Sequence, residues 1–245
     1  MLVIQETSAW GLYIADVLLN EFGISATIIS SAMISSTDLT QYDLIITASD
    51  ESSTYYTNIS ANQNKFEEFV NSGGIIQYQL ATQGSNLKIV GGTDVINGNQ
   101  ENFNTVKVPN HPILKDLPSQ LEGSSANHCY FTNLLPNAVI LTETANSKVP
   151  TTIEYKFGLG SVIATGMTWE FLYVNSYNSE LLLPNALSYS LSLINNLSWI
   201  SLDINSDTIP KGTSINFGFN LNANKLEGGD YLANLIINSN DPVNT

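Results

Sequence analysis

The sequence predicts a doubly wound α/β domain on a mainly parallel sheet, followed by part of a β-sandwich module. Two observations carry this. Strands and helices alternate through the first part of the chain, and past Asn196 the hydrophobic period becomes two, with regular turns. The expected division is 1–196 for the α/β domain and 197–245 for the β module.

Leu2-Val3-Ile4 is a short apolar strand, and Ser8 is placed to cap a helix over Ala9–Phe22, where Trp10, Tyr13, Ile14, Val17, Leu18 and Phe22 recur at helical spacing before Gly23. Ala26–Ile29 and Tyr42–Thr47 read as strands, the second continuously apolar as central parallel strands are. A helix over Asn62–Val70 carries Phe66, Phe69 and Val70 on one side. Gly73-Gly74 stops it ahead of the strand Ile75–Tyr78. From Gly84 to Pro150 the pattern loosens, with an irregular excursion over Asn110–Pro118 and strands at Ala138–Leu141 and Thr151–Tyr155. A turn at Gly158-Leu159-Gly160 leads into the strand Ser161–Thr165. A last helix over Glu180–Ile194 has Pro184 near its start, where proline is tolerated. In the tail, Trp199–Ile204, Ser214–Phe219 and Leu232–Ile237 alternate as strands, with turns at 209–212 and 228–231. Three strands are too few to close a sandwich, so the module is expected to continue beyond Thr245.

Composition narrows the function. The apolar fraction of 43% supports a packed core, while the charged fraction of 12% is about half the usual share. None of the 8 basic residues is Arg, and the net charge is −14, which excludes a nucleic-acid partner on electrostatic grounds. A polar surface drawn from Asn, Ser and Thr suits an extracellular or cell-surface protein. The opening Met1–Gln5 reads directly as a strand, so a signal peptide is expected outside this stretch. Cys129 is the single cysteine, which leaves no disulfide framework and no thiolate metal cluster. No run of about 18 apolar residues predicts a membrane span.

The strand Tyr42-Asp43-Leu44-Ile45-Ile46, the helix end Phe66–Gly74, His111-Pro112-Ile113-Leu114 and the hairpin Tyr155–Ile163 occur in this order over residues 1–195. Together they resemble the class I glutamine-amidotransferase-like superfamily in its divergent ThuA-like branches. The resemblance implies a flavodoxin-like or amidotransferase-like sheet. The tail, with Trp199-Ile200-Ser201-Leu202, Ile209–Ser214, Gly229-Asp230-Tyr231 and Ser239-Asn240-Asp241-Pro242, resembles Ig-like modules of large bacterial surface proteins, of the choice-of-anchor and abnormal-spindle-like kinds.

The same resemblance counts against catalysis. An amidotransferase needs a cysteine on a sharp strand-to-helix turn, whereas the matching place reads Gln79-Leu80-Ala81-Thr82-Gln83-Gly84. Its His-x-Glu pair matches Thr168-Trp169-Glu170, so the carboxylate is present and the imidazole base is not. His128 and Cys129 adjoin in sequence, but neighbours on a strand face opposite ways, so the pair reads as a buried thiol beside a loop histidine. His111 reads as a turn residue before Pro112.

The candidate ligand-binding residues are Asp50, Glu51, Gln79, Trp169 and Glu170, placed at strand ends on the carboxyl edge where open α/β sheets form their crevice. Glu170 is expected to border that crevice with Asp50 or Gln79, partly open to solvent. Against this stands a capping role for Asp50-Glu51 ahead of Ser52-Ser53, and for Glu170 ahead of Phe171. A phospho-receiver pairing of Asp50 with Glu6 lacks the lysine it needs. Trp10, Trp169 and Tyr173 fit either a carbohydrate platform or the core. No metal and no cofactor are implied, and Gly91-Gly92 alone makes no phosphate cradle. The expectation is a non-catalytic binding or structural module of a larger secreted or surface protein, with a carbohydrate or another surface protein as partner. The alternative is a hydrolase of glycans or glycoconjugates using Glu170 and Asp50.

Overall fold

The computed structural model describes residues 1–81, 86–198, 200–203, 208–210 and 212–221. The chain divides into two compact units, Met1–Leu191 and Ser192–Thr245.

In chain order the first unit contains β1 (Leu2–Ile4), α1 (Ile14–Phe22), β2 (Thr27–Ile29), β3 (Leu44–Thr47), α2 (Ser53–Ala61), α3 (Gln63–Asn71), β4 (Ile75–Gln79), β5 (Leu87–Lys88), β6 (Asp94–Asn97) and β7 (Phe103–Val106). There follow β8 (Gln120–Glu122), β9 (Cys129–Thr132), β10 (Val139–Thr144), β11 (Pro150–Phe157), β12 (Gly160–Thr165), α4 (Trp169–Val174) and α5 (Leu182–Ser198), the last of which runs across the division.

Nine strands form one sheet in the order β2-β1-β3-β4-β12-β11-β10-β7-β8. The half from β2 to β12 is parallel throughout, and every pairing from β12 to β8 is antiparallel. The centre of the sheet is thus parallel, as expected, and it carries an antiparallel extension on one side. The cause is local. Phe157 pairs with Gly160 across the two residues Gly158-Leu159, Gly158 takes φ 58°, and a two-residue connection can only join antiparallel strands. Gly160 cannot carry a side chain, because a Cβ there would meet Gly74 O at 2.1 Å. A separate three-stranded antiparallel sheet, β5-β6-β9, lies in the stretch where the sequence pattern loosened.

The central strands are buried on both faces, as their unbroken apolar runs require. Phe66, Phe69 and Val70 of α3 pack into the same core as Leu2, Ile4, Ile45, Ile76 and Val162. The first helix begins at Ile14 instead of Ala9, and Ser8 does not cap it. Ala9 and Leu12 instead exchange both backbone hydrogen bonds at 2.9 Å around Trp10-Gly11, whose φ angles of 47° and 88° are left-handed. α2 was not anticipated. Its Ser52 side chain accepts from Tyr55 N at 3.2 Å, so the cap is the serine, and neither Asp50 nor Glu51 fills that role. His111 does cap a turn, its Nδ1 accepting from Ile113 N at 3.3 Å.

In the second unit β13 (Ile200–Leu202) and β14 (Phe219–Leu221) pair antiparallel. The second strand starts later than the expected Ser214, because Phe219 lies opposite Leu202, the last residue of β13. Trp199, the turn at 228–231 and the strand expected over Leu232–Ile237 lie outside the described residues.

The first unit buries a core of its own, so a fragment ending at Ser198 is expected to melt in one cooperative transition within a few degrees of the whole chain. A fall of more than about 10 °C, several times the roughly 2–4 °C that each kcal/mol is worth at this size, contradicts that.

Candidate functional site

Four parallel strands, β1, β3, β4 and β12, run toward one edge of the sheet, so the residues just past their ends are neighbours. These residues are Glu6, Ser49-Asp50-Glu51, Gln79-Leu80-Ala81 and Thr168-Trp169-Glu170.

The edge is laced together beyond the sheet ladder. Thr47 Oγ1 donates to Gln79 O at 3.3 Å and accepts from Gln79 N at 3.1 Å. Ala81 N donates to Ser49 Oγ at 3.2 Å, and Leu80 N to Thr165 O at 2.9 Å. Asp50 turns the chain at φ 58°, a conformation Asp tolerates better than most residues.

Glu170, in the first turn of α4, is fully buried. Its Oε1 accepts from Ser49 N at 2.9 Å. The Gln79 carboxamide is oriented by its surroundings: with nitrogen toward Glu170 it donates at 3.0 and 3.2 Å to the two carboxyl oxygens, and its oxygen accepts from Gln77 Nε2 at 3.2 Å. Gln77 Oε1 in turn accepts from Ser190 Oγ of α5 at 2.7 Å. Ser190, Gln77, Gln79, Glu170 and Ser49 thus form one buried polar chain from α5 to the carboxyl edge. Burial pushes the Glu170 carboxyl up to about 7 against the pull of the Ser49 amide, and the Asp50 charge adds to the rise.

Glu51 is also buried, its Oε1 accepting from Glu6 N at 2.8 Å and Thr7 N at 3.0 Å, and its Oε2 from Thr7 Oγ1 at 3.1 Å. Burial raises its pKa despite those donors. Thr168, where the resemblance implies a base, is buried, with its amide and hydroxyl both donating to Ala126 O. Cys129 is buried and its Sγ donates to Leu80 O.

The structure therefore brings Gln79 and Glu170 into direct contact and places Asp50 and Glu51 on the same edge. The expectation that Glu170 opens to solvent is corrected: its carboxyl is sealed by the Ser49 amide and the Gln79 carboxamide. Trp169 is buried as well, so it lines no platform, and of the five candidates only Asp50 reaches the surface. Gln77, Ser190 and Ser49 were missed. The signal for Gln77 was present in Ile75-Ile76-Gln77-Tyr78-Gln79, where two glutamines share one face of a strand with no exposed side. Among the described residues, no cluster of three or more His, Cys, Asp or Glu side chains is arranged to hold a metal ion, and no helix is long and apolar enough to cross a membrane.

No family model matches the chain. An uncharacterised protein of Clostridium acetobutylicum is 32% identical over 199 residues, covering 78% of this chain and 20% of that protein. The chain thus spans about a fifth of the length of the curated relative it matches. Among solved structures, one described as a GMP synthase component from Thermoplasma acidophilum superposes with a TM-score of 0.57 at 14% identity, covering 80% of this chain and 96% of that one. A cytoplasmic protein from Salmonella typhimurium gives 0.50 at 13% identity, with coverages of 75% and 87%. A ThuA-like protein from Parabacteroides merdae gives 0.47 at 15%, with coverages of 78% and 88%. The first of these likenesses shows an amidotransferase-like α/β fold, and at such identities it shows the fold alone.

The elevated Glu170 pKa has a definite consequence. Between the usual carboxylate value of 4.5 and about 7 the folded acid keeps a proton that the unfolded chain has released. Its stabilising contribution is complete below the unfolded value and is lost as pH rises through about 7. Glu170→Gln stays neutral, so its stability relative to wild type is expected to rise by roughly 3 kcal/mol between pH 4.5 and about pH 8. Thermal melts of both proteins across that range check this, and parallel pH profiles contradict it.

Proposed function

We propose that this chain is a non-catalytic binding module of amidotransferase-like fold within a larger secreted or cell-surface protein, and that residues 197–245 begin an Ig-like module of the same protein. One observation carries the reading. At the strand ends where an amidotransferase places nucleophile and base, the chain has Gln79 locked onto a buried Glu170, and Thr168 bonded to a backbone carbonyl. A carboxamide is no nucleophile, the Thr168 hydroxyl is spent on Ala126 O with no imidazole to activate it, and neither residue is open to a substrate. The polar chain holds the edge rigid, which suits a scaffold that presents surface residues to a partner.

That the module belongs to something larger is supported by the Clostridium relative, of which the matched segment is a fifth. Its extracellular setting is supported by the low share of charged residues and the abundance of Asn, Ser and Thr.

The competing reading, a glycan hydrolase using Glu170 and Asp50, draws support from the Glu170 pKa of about 7, which is in the range of a general acid. Weighing against it, the same burial that raises the pKa keeps Glu170 from touching a glycosidic oxygen.

Incubated with glutamine, the protein is expected to release no ammonia above background, with or without alkylation of Cys129. Turnover of glutamine that alkylation abolishes would falsify the reading.

A further inference from the structure

Trp10 occupies an unusual place. It is a bulky residue at φ 47° in a two-residue hairpin turn closed by Ala9 and Leu12. Such a conformation is costly for a tryptophan and persists only where the surroundings over-determine it. Here they do. The buried Gln5 carboxamide donates to Thr7 O at 2.9 Å and to Leu12 O at 3.0 Å, and accepts from Ile14 N at 3.0 Å. Gln5 thereby pins both arms of the turn and the start of α1 with one side chain.

What this turn delivers is an aromatic ring at the carboxyl edge of the sheet. The Trp10 ring meets His128 edge-on at 5.9 Å and Phe171 at 5.8 Å, and Phe171 meets Tyr177 at 5.8 Å. The four rings come from separate parts of the fold: the loop after β1, the segment leading into β9, and the two ends of the α4 region. His128 arrives there because its amide donates to Gly166 O at 2.9 Å, an approach any side chain at Gly166 would block at 2.2 Å from Cys129 O. All four rings are half-buried and none is sealed into the core.

We propose that the ridge of Trp10, His128, Phe171 and Tyr177 is a stacking surface for the pyranose ring of a neutral glycan. This rests on the binding-module reading and gives it a ligand class. Ring faces attract the weakly positive C–H face of a sugar. Charge decides against anionic rings such as nucleotides or sugar phosphates: residues 1–64 and 157–198, which supply all but His128, contain no Lys or Arg. Glu6, Asp50, Glu21 and Glu180, none of them buried, lie on those same stretches, and acceptors suit a ligand whose hydroxyls donate.

The test uses the whole chain against cello-, xylo-, manno-, malto- and chito-oligosaccharides by calorimetric titration, with each mixture also analysed for cleavage products. At least one series is expected to bind saturably, with Trp10→Ala weakening it about tenfold or more and Trp10→Phe retaining most of it. Saturable binding is also expected to shift the Trp10 indole N–H resonance of the unmutated protein, which keeps the test independent of how Trp10→Ala folds. Absence of binding by every series at millimolar concentration, binding unaffected by Trp10→Ala, or shifts that spare Trp10 overturn the proposal. Cleavage products that vanish in Trp10→Ala support the stacking surface and overturn the non-catalytic reading instead.

Discussion

The carboxyl edge of this fold is organised around one costly group, the buried carboxyl of Glu170. A carboxylate withdrawn from water has to be met by donors or take up a proton, and here both happen. The Ser49 amide and the Gln79 carboxamide close on it, and burial lifts its pKa to about 7. Meeting it fixes much else. Gln79 has to turn its nitrogen inward, which turns its oxygen to Gln77, which leaves Gln77 to accept from Ser190 on α5. The ends of β3, β4 and β12 are thereby held in one arrangement. The Glu170 carboxyl is closed off from solvent by the protein's own amides.

The scarcity of cations makes this a general theme. Without a single Arg, buried carboxylates have no bidentate partner, and each is settled by amides, hydroxyls or a ring nitrogen. Glu51 takes the amides of Glu6 and Thr7, and its pKa still rises with burial. Glu154 on β11 ends the other way. Burial pushes it up, but His111 and Tyr189, each bonding it at 2.8 Å, outweigh that and hold it below the usual carboxylate range. His111 Nδ1 already accepts from Ile113 N, so Nε2 carries the proton that reaches Glu154. The contrast between Glu154 and Glu170 follows from what stands beside each: a histidine and a phenol in one case, neutral amides in the other.

The fold was legible where local pattern and tertiary need agree. The apolar runs at Leu2–Ile4, Leu44–Thr47 and Ile75–Gln79 are central strands because nothing else buries both faces of a short segment. Legibility failed where tertiary partners override pattern. Residues 9–13 carry helical spacing, yet Gly11 and the Gln5 staple make a hairpin turn of them. The antiparallel extension was concealed because alternation shows that strands exist without showing their direction. Only the tightness of Gly158-Leu159 betrays it. At the site, the strand ends were readable and their exposure was not: position in sequence places Glu170 on the edge, while its sealing depends on Ser49 and Gln79, which are distant in the chain.

The most direct measurement of a closed edge is the titration of the Glu170 side chain itself, followed through its carboxyl carbon by NMR and assigned by loss of that resonance in Glu170→Gln. A protonated carboxyl that titrates near 7 is the predicted result. An acid that ionises at or below the ordinary value of 4.5 would mean that burial does not govern Glu170, and the account of a closed edge built around a protonated carboxyl would be contradicted.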